Sequence, residues 1–235
     1  MKIKAVLFDF IGTTAKEKNS FVVSSCLSGA FIDHGLFLTT EYFNSVRGMN
    51  KAYIINEVLE RYNLPLSMAT AIHASFKSRI KHNLENISAF EDSLYVFSYL
   101  LRIGISIGIG TDLSREVFDI IFSHLEWSKK GFNYIGFSDK IGKSRPAPDM
   151  IFDMMSKLGI KESKEILKVG DTVASIYDGK KAGCITAALL SGTQSAEELL
   201  TEEPDYLMKS LSDIKKIINV NTLLCIKGTD RNRFG

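Results

Sequence analysis

A single aspartate closes the first apolar run of the chain. Ile3 to Phe8 leads into Asp9-Phe10-Ile11-Gly12-Thr13-Thr14, so a carboxylate stands where a buried strand should end, followed by a glycine and two hydroxyls. Such a carboxylate can act as a nucleophile or as an oxygen ligand for a hard cation. It can equally cap a turn, because Asp and Gly favour turns. Three later segments supply complementary groups in chain order. Ile105 to Gly110 is a second strand-like run, ending at Thr111 and Asp112. Lys143-Ser144-Arg145-Pro146-Ala147-Pro148-Asp149 is a cationic loop opening a helix, and Ile166 to Gly170 is a third strand-like run, ending at Asp171 and Thr172. Acids, a hydroxyl and a cation at the ends of parallel strands converge on one sheet edge, which is where open α/β sheets bind ligands. Taken singly, Thr111 and Asp112 also read as helix caps and Arg145 as a solvated loop cation.

The elements that must position these groups follow from periodicity. Strand-like runs at 3–8, 105–110, 133–137, 166–169 and 185–190 alternate with helix-period segments, which predicts a doubly wound, Rossmann-like parallel sheet with helices on both faces. Between the first two runs, residues 16–86 contain no convincing strand but four amphipathic stretches: Ser20 to His34, Thr40 to Val46, Lys51 to Arg61 and Met68 to Leu84. We therefore expect a core of residues 1–15 and 87–235 with an inserted helical unit at 16–86, hinged near Ala15 to Asn19 and Asn83 to Ala89. Leu94, Phe97, Leu100 and Leu101 repeat at helical spacing before Gly104, and Ser195 with Glu198 forms a capping-box pattern. The pair Gly108 and Gly110 lies within a strand and does not open a helix, so it is no dinucleotide fingerprint.

Composition narrows the class. At 235 residues and 45% hydrophobic, the chain can bury a substantial core. A formal net charge of +2, with no basic run interleaved with aromatics, gives no case for nucleic acid. No apolar stretch reaches bilayer-spanning length. The three cysteines, Cys26, Cys184 and Cys225, are scattered without metal-ligand spacing, which suits a reducing, cytoplasmic compartment. The four histidines show no paired spacing, and Lys77, Arg79, Lys81 and His82 read as a solvated helix face or an attractor for an anionic substrate.

Together the four segments resemble the signatures of the haloacid dehalogenase-like hydrolases, over nearly the whole chain. The resemblance implies an α/β core with a helical cap, Asp9 as a nucleophile that forms an aspartyl-phosphate, and Mg²⁺ held by Asp9, the Ile11 backbone carbonyl and Asp171, with Ser175 at the position of a further acid. It implies that Thr111, Thr13 and the Gly12 N–H bind the phosphoryl oxygens beside Asp112, and that Arg145 steadies nucleophile and transferred group. Phosphatases of the family carry an acid two positions after the nucleophile, where this chain has Ile11. An apolar residue there followed by Gly12-Thr13-Thr14, and Arg145 in the third motif, resemble the phosphonatase-like branch. Arg47-Gly48-Met49-Asn50-Lys51 resembles that branch's cap loop, which implies Lys51 as an imine-forming lysine and Arg47 as a substrate contact. Two features depart from the branch: Ile54 stands where a histidine is usual, and Ser175 stands where an acid is usual. Tyr53 is a further candidate proton carrier, and Asp178 a substitute acid or a helix-surface residue. The implied substrate is a small phosphonate or phosphate ester, handled by a monomer or a cap-mediated homodimer. A phosphatase for glycolyl or sugar phosphates, a dehalogenase and a catalytically weak phosphometabolite-binding protein are the alternatives.

Overall fold

The computed structural model of the protein describes residues 2–138, 141 and 147–220. In chain order the elements are β1 (Ala5–Asp9), β2 (Ala15–Glu17), α1 (Val22–Ile32), α2 (Thr40–Ser45), α3 (Lys51–Arg61), α4 (Met68–His82), β3 (Ile87–Ala89), α5 (Ser93–Arg102), β4 (Ser106–Thr111), α6 (Arg115–His124), β5 (Tyr134–Phe137), α7 (Asp149–Leu158), β6 (Ile166–Gly170), α8 (Val173–Ala182), β7 (Ile185–Leu189), α9 (Ala196–Leu200) and β8 (Tyr206–Met208). Helical backbone continues at 214–220.

The main sheet runs β5-β4-β1-β6-β7-β8, and every neighbouring pair is parallel. Ala5, Val6, Leu7 and Phe8 of β1 have no exposed surface, as expected of a central strand covered by helices on both faces. From β1 the chain winds outward to β4 and β5 on one side and to β6, β7 and β8 on the other. The strand order therefore reverses beside β1, and the carboxyl ends of β1, β4 and β6 meet at that switch point.

Helices α1 to α4 form the cap. Leu27 and Phe31 of α1, Ile55 and Leu59 of α3, and Ile72 and Phe76 of α4 make its buried interior. Arg79 of α4 grips Asp33 at the end of α1 through two parallel donors, Nε to Oδ2 at 2.9 Å and Nη2 to Oδ1 at 2.5 Å, which holds the Asp33 carboxyl down at about 2. Lys77 pairs with Glu116 of α6 at 2.5 Å. The basic stretch on α4 is thus tied down in part, to the cap's own α1 and to the core.

Two details depart from the sequence expectation. Where hinges were expected, near Ala15 to Asn19 and Asn83 to Ala89, β2 and β3 run antiparallel, with Glu17 opposite Ile87; no strand was expected there. Strands of three residues are too short for a periodic pattern to mark. In α5 the buried face is Val96, Phe97 and Leu100, whereas Leu94 and Leu101 are exposed; a stripe of four apolar residues leaves two facing solvent, as happens commonly.

Beneath the carboxyl edge lies an aromatic cluster. Phe10 packs against Phe118 with ring centroids 4.7 Å apart, and Trp127 meets Phe97 and Phe122 edge-on at 5.4 and 5.8 Å. The backbone of Phe10 directly follows Asp9, so this packing anchors the turn that carries the carboxylate. Phe122→Ala is expected to lower unfolding free energy by about 3–5 kcal/mol, the usual cost of emptying an aromatic core site. Urea denaturation followed by Trp127 fluorescence measures it, and a loss below about 1 kcal/mol would show that the cluster closes over the gap.

Candidate active site

The turn after β1 is closed by its own backbone. Thr14 and Ala15 N–H groups both donate to the Phe10 carbonyl at 2.9 Å, and Gly12 N–H donates to the Ala15 carbonyl at 2.7 Å. Gly12 adopts φ of +85°, which disfavours a side chain, and a Cβ there would collide with the Asp171 carboxylate. Its place in the turn therefore serves the close approach of Asp171. This redirects two expectations: the Gly12 N–H bonds Ala15, and the Thr13 hydroxyl donates to Asp171 Oδ1 at 2.7 Å, so both are engaged within the protein.

Asp171 is fully buried at the end of β6. Besides Thr13, its Oδ2 accepts from the Thr193 N–H at 2.9 Å and the Thr193 hydroxyl at 2.6 Å. Burial pushes its carboxyl up from the ordinary range, and the charge of Asp9 adds to that push, while Thr193 and Thr13 oppose it. Two buried carboxylates thus face each other's charge from neighbouring strands.

The cation beside them is one that motif reading passed over. Lys168, in the middle of β6, has no exposed surface, and its ammonium forms an ion pair with Asp9 Oδ1 and donates to the Ser175 hydroxyl at 2.7 Å. Strand register explains the geometry. Lys168 is level with Leu7, and Leu7 and Asp9 are two residues apart, so Lys168 and Asp9 share one face of the sheet. Space for the lysine comes from glycines. A Cβ on Gly179 of α8 would lie 2.9 Å from Lys168 Cγ, and one on Gly170 would lie 3.0 Å from Asp9 Oδ2 and overlap Ser175. The signal was present in the sequence: a lysine inside Ile166-Leu167-Lys168-Val169-Gly170 must find a partner, because a buried charge without one is costly.

Asp9, Glu17, Arg47, Lys51, Thr111 and Asp112 line one cavity between cap and core, of about 80 Å³. Thr111 and Asp112 do not cap α6; that cap is Ser114, whose hydroxyl accepts from the Val117 N–H at 3.4 Å. Lys51 begins α3, capped by Asn50, and its ammonium donates to the Met49 carbonyl at 2.8 Å. Arg47 donates to the Thr193 carbonyl at 2.9 Å, Asn50 donates to Ser138 Oγ at 2.8 Å, and the Lys51 N–H donates to the Asp112 carbonyl at 3.4 Å. These bonds fasten the cap loop onto the core.

Ile11 and Ile54 also face the cavity, and neither carries a titratable proton. Tyr53 is half exposed and is not among the residues lining it. Asp178 is buried, which corrects its reading as a helix-surface acid. Ser175 is buried against the Lys168 ammonium. Arg145 lies outside the described residues.

The donor set fits a hard cation in part. Two buried carboxylates whose repulsion a dication would relieve suit Mg²⁺, and Asp9, the Ile11 carbonyl and Asp171 would hold it. Among the described residues no group of three or more His, Cys, Asp or Glu side chains could hold a metal ion, and the position where the resemblance implies a further acid is Ser175.

Removing Lys168 should expose the carboxylate repulsion. Lys168→Met is expected to cost about 3–5 kcal/mol, as breaking a buried pair does, and the Lys168→Met/Asp9→Asn double variant should lose less than the sum of the two single losses by at least about 1 kcal/mol. Urea denaturation in chelator provides the cycle; strictly additive losses would show that the two groups are not coupled.

Residues 6–189 match the family model described as haloacid dehalogenase-like hydrolase. A phosphonoacetaldehyde hydrolase of Bacteroides fragilis is 24% identical over 241 residues, covering 97% of this chain and 90% of that protein. Among solved structures, a phosphonoacetaldehyde hydrolase-like protein from Oleispira antarctica superposes with a TM-score of 0.79 at 16% identity, covering 94% of this chain and 93% of that one. A "predicted phosphoglycolate phosphatase" from Haemophilus somnus gives 0.74 at 20% identity, covering 92% and 98%. With the family model spanning the sheet from β1 to β7, the chain belongs to the haloacid dehalogenase-like hydrolases.

Proposed function

We propose that the protein is a phosphonatase-like hydrolase that transfers a phosphoryl group from a small phosphonate or phosphate ester to Asp9 and then to water. The observation that carries this reading is that Lys51 of the cap and Asp9 of the core line the same small cavity. A Lys51 amine within reach of an aldehyde can form an imine whose protonated nitrogen accepts the electron pair left when a carbon–phosphorus bond breaks. The bacterial relatives named phosphonoacetaldehyde hydrolase support this substrate class.

In this reading Asp9 attacks phosphorus, Thr111 donates its hydroxyl to a phosphoryl oxygen, and Arg47 and Lys51 supply positive charge from the cap. Lys168 holds the nucleophile against the repulsion of Asp171 and fixes its orientation. Mg²⁺, when bound by Asp9, the Ile11 carbonyl and Asp171, offsets the charge of the phosphoryl oxygens. Arg145 completes the cationic surroundings as the family resemblance implies. A phosphatase for small phosphate esters is the second reading, favoured by the absence of a histidine at Ile54 and by likeness to structures described as phosphoglycolate phosphatases.

Two measurements separate the readings. Borohydride added with phosphonoacetaldehyde should reduce an imine onto Lys51, located by peptide mass; an active enzyme left unlabelled there would exclude imine chemistry and favour the ester substrate. Asp9→Asn should lower turnover of either substrate by at least about 10⁴-fold, with a folded circular-dichroism spectrum but reduced stability because the Lys168 charge loses its carboxylate partner. Retained turnover would exclude Asp9 as nucleophile.

A further inference from the structure

Both chemistries open to this site need a group that gives up and takes back a proton, and neither Ile11 nor Ile54, the two residues at positions where a proton carrier is expected, has one. A third carboxyl faces the same cavity. Glu17 ends β2, in the strand pair that joins cap and core, and lines the cavity together with Asp9, Lys51 and Ile11. Its Oε1 accepts from the Val23 N–H at 2.5 Å, at the first turn of α1. That bond fixes the carboxyl by one oxygen and leaves the other for a ligand.

From this placement we infer that Glu17 is the proton donor and acceptor of the active site, in contact with the oxygen that leaves the substrate. The inference rests on the phosphoryl-transfer reading above. For an aldehyde phosphonate, Lys51 adds to the carbonyl carbon, and a proton moves from nitrogen to oxygen to give the carbinolamine. The C–O bond then breaks with its pair on oxygen, the nitrogen lone pair closes the C=N bond, and Glu17's proton completes the departing water. For an ester, the same proton goes to the alkoxide oxygen as its bond to phosphorus breaks. The Glu17 carboxylate regains a proton from the water that attacks phosphorus, while the pair of the P–O bond to Asp9 returns to the Asp9 carboxylate. For the phosphonate, the C–P pair has by then entered the iminium to leave an enamine on Lys51; Glu17 gives its proton to the enamine carbon, and a second water, passing its proton back to Glu17, hydrolyses the iminium to free the aldehyde and the Lys51 amine.

The surroundings of Glu17 favour this use. Burial pushes its carboxyl up, as does the charge of Asp171; the Val23 N–H, Arg47 and Lys51 pull the other way, and the balance remains above the ordinary glutamate range. A raised carboxyl holds its proton to higher pH than an ordinary glutamate, the direction that proton donation requires. Its hydrogen bond to α1 is the competing structural explanation, and a glutamine preserves it, since Gln offers the same acceptor oxygen and volume.

The test compares the wild-type protein with Glu17→Gln and Glu17→Asp on phosphonoacetaldehyde and on phosphoglycolate, across pH with saturating Mg²⁺. Glu17→Gln should lower kcat/KM by about 10²–10⁴-fold and remove the alkaline fall in the wild-type profile, because the proton-donating form is lost as pH rises through the raised value. Glu17→Asp should recover part of the rate, and calorimetric binding of inorganic phosphate should stay within about threefold of wild type. Turnover within about twofold of wild type in Glu17→Gln, or a loss that leaves the alkaline limb in place, overturns the inference. Asp9→Asn run in parallel separates the levels: turnover that survives Asp9→Asn, or no wild-type turnover of either compound, overturns the phosphoryl-transfer reading and this inference with it, whereas Asp9-dependent turnover indifferent to Glu17 overturns this inference alone.

Discussion

The pair that the site depends on is a buried ammonium against a buried carboxylate. Two acids, Asp9 and Asp171, stand buried at the ends of neighbouring strands, and in such surroundings like charges repel strongly. Lys168 supplies one positive charge on the same face of the sheet, bonded to Asp9 and Ser175. Such a pair adds little net stability compared with an apolar core, but breaking it is costly. Its effect is to hold one nucleophile in one place. Gly170 and Gly179 give up side chains so that this lysine and its partners fit, and Ser175 accepts a hydrogen bond where an acid would have drawn the ammonium away from Asp9.

The cap then decides what reaches that nucleophile. Arg47, Asn50 and Lys51 are bonded to Thr193, Ser138 and the Asp112 carbonyl respectively, so one short loop carries both the fastening to the core and Lys51, which lines the cavity. Thr193 is shared: its carbonyl holds the cap and its hydroxyl and N–H hold Asp171. Movement of the cap loop and the orientation of the second carboxylate are therefore linked through one residue. Glu17 sits in the hinge strand pair, so cap position also sets where that carboxyl lies.

Much of this was legible in the sequence, for physical reasons. The runs ending at Asp9, Thr111 and Asp171 are predominantly apolar segments of strand length, as a two-sided parallel sheet requires, and all three lie at its carboxyl edge. The four cap helices followed from 3.6-residue periodicity, and α3 occupies Lys51–Arg61 as read. What escaped was long-range pairing. Lys168 passed without remark inside its strand, because its partner is 159 residues away in sequence and only register brings them together. Glu17 lay in a polar hinge whose strand is three residues long. Asp178 looked like a surface acid by helical spacing, while α8 lies against β6 and β7 and buries it. Gly12 and Thr13, which the family resemblance implies as phosphate contacts, also close the turn and hold Asp171, a pairing that the sequence did not show.

The central claim is that Asp9 makes a transient bond to phosphorus. Its most direct test is hydroxylamine added to the full-length enzyme during turnover of phosphonoacetaldehyde or phosphoglycolate, followed by peptide mapping, since an acyl phosphate is converted to a hydroxamate at the residue that carried it. The account predicts a hydroxamate on Asp9 that depends on substrate. Turnover with Asp9 unmodified, and the hydroxamate on another acid or on none, would contradict it.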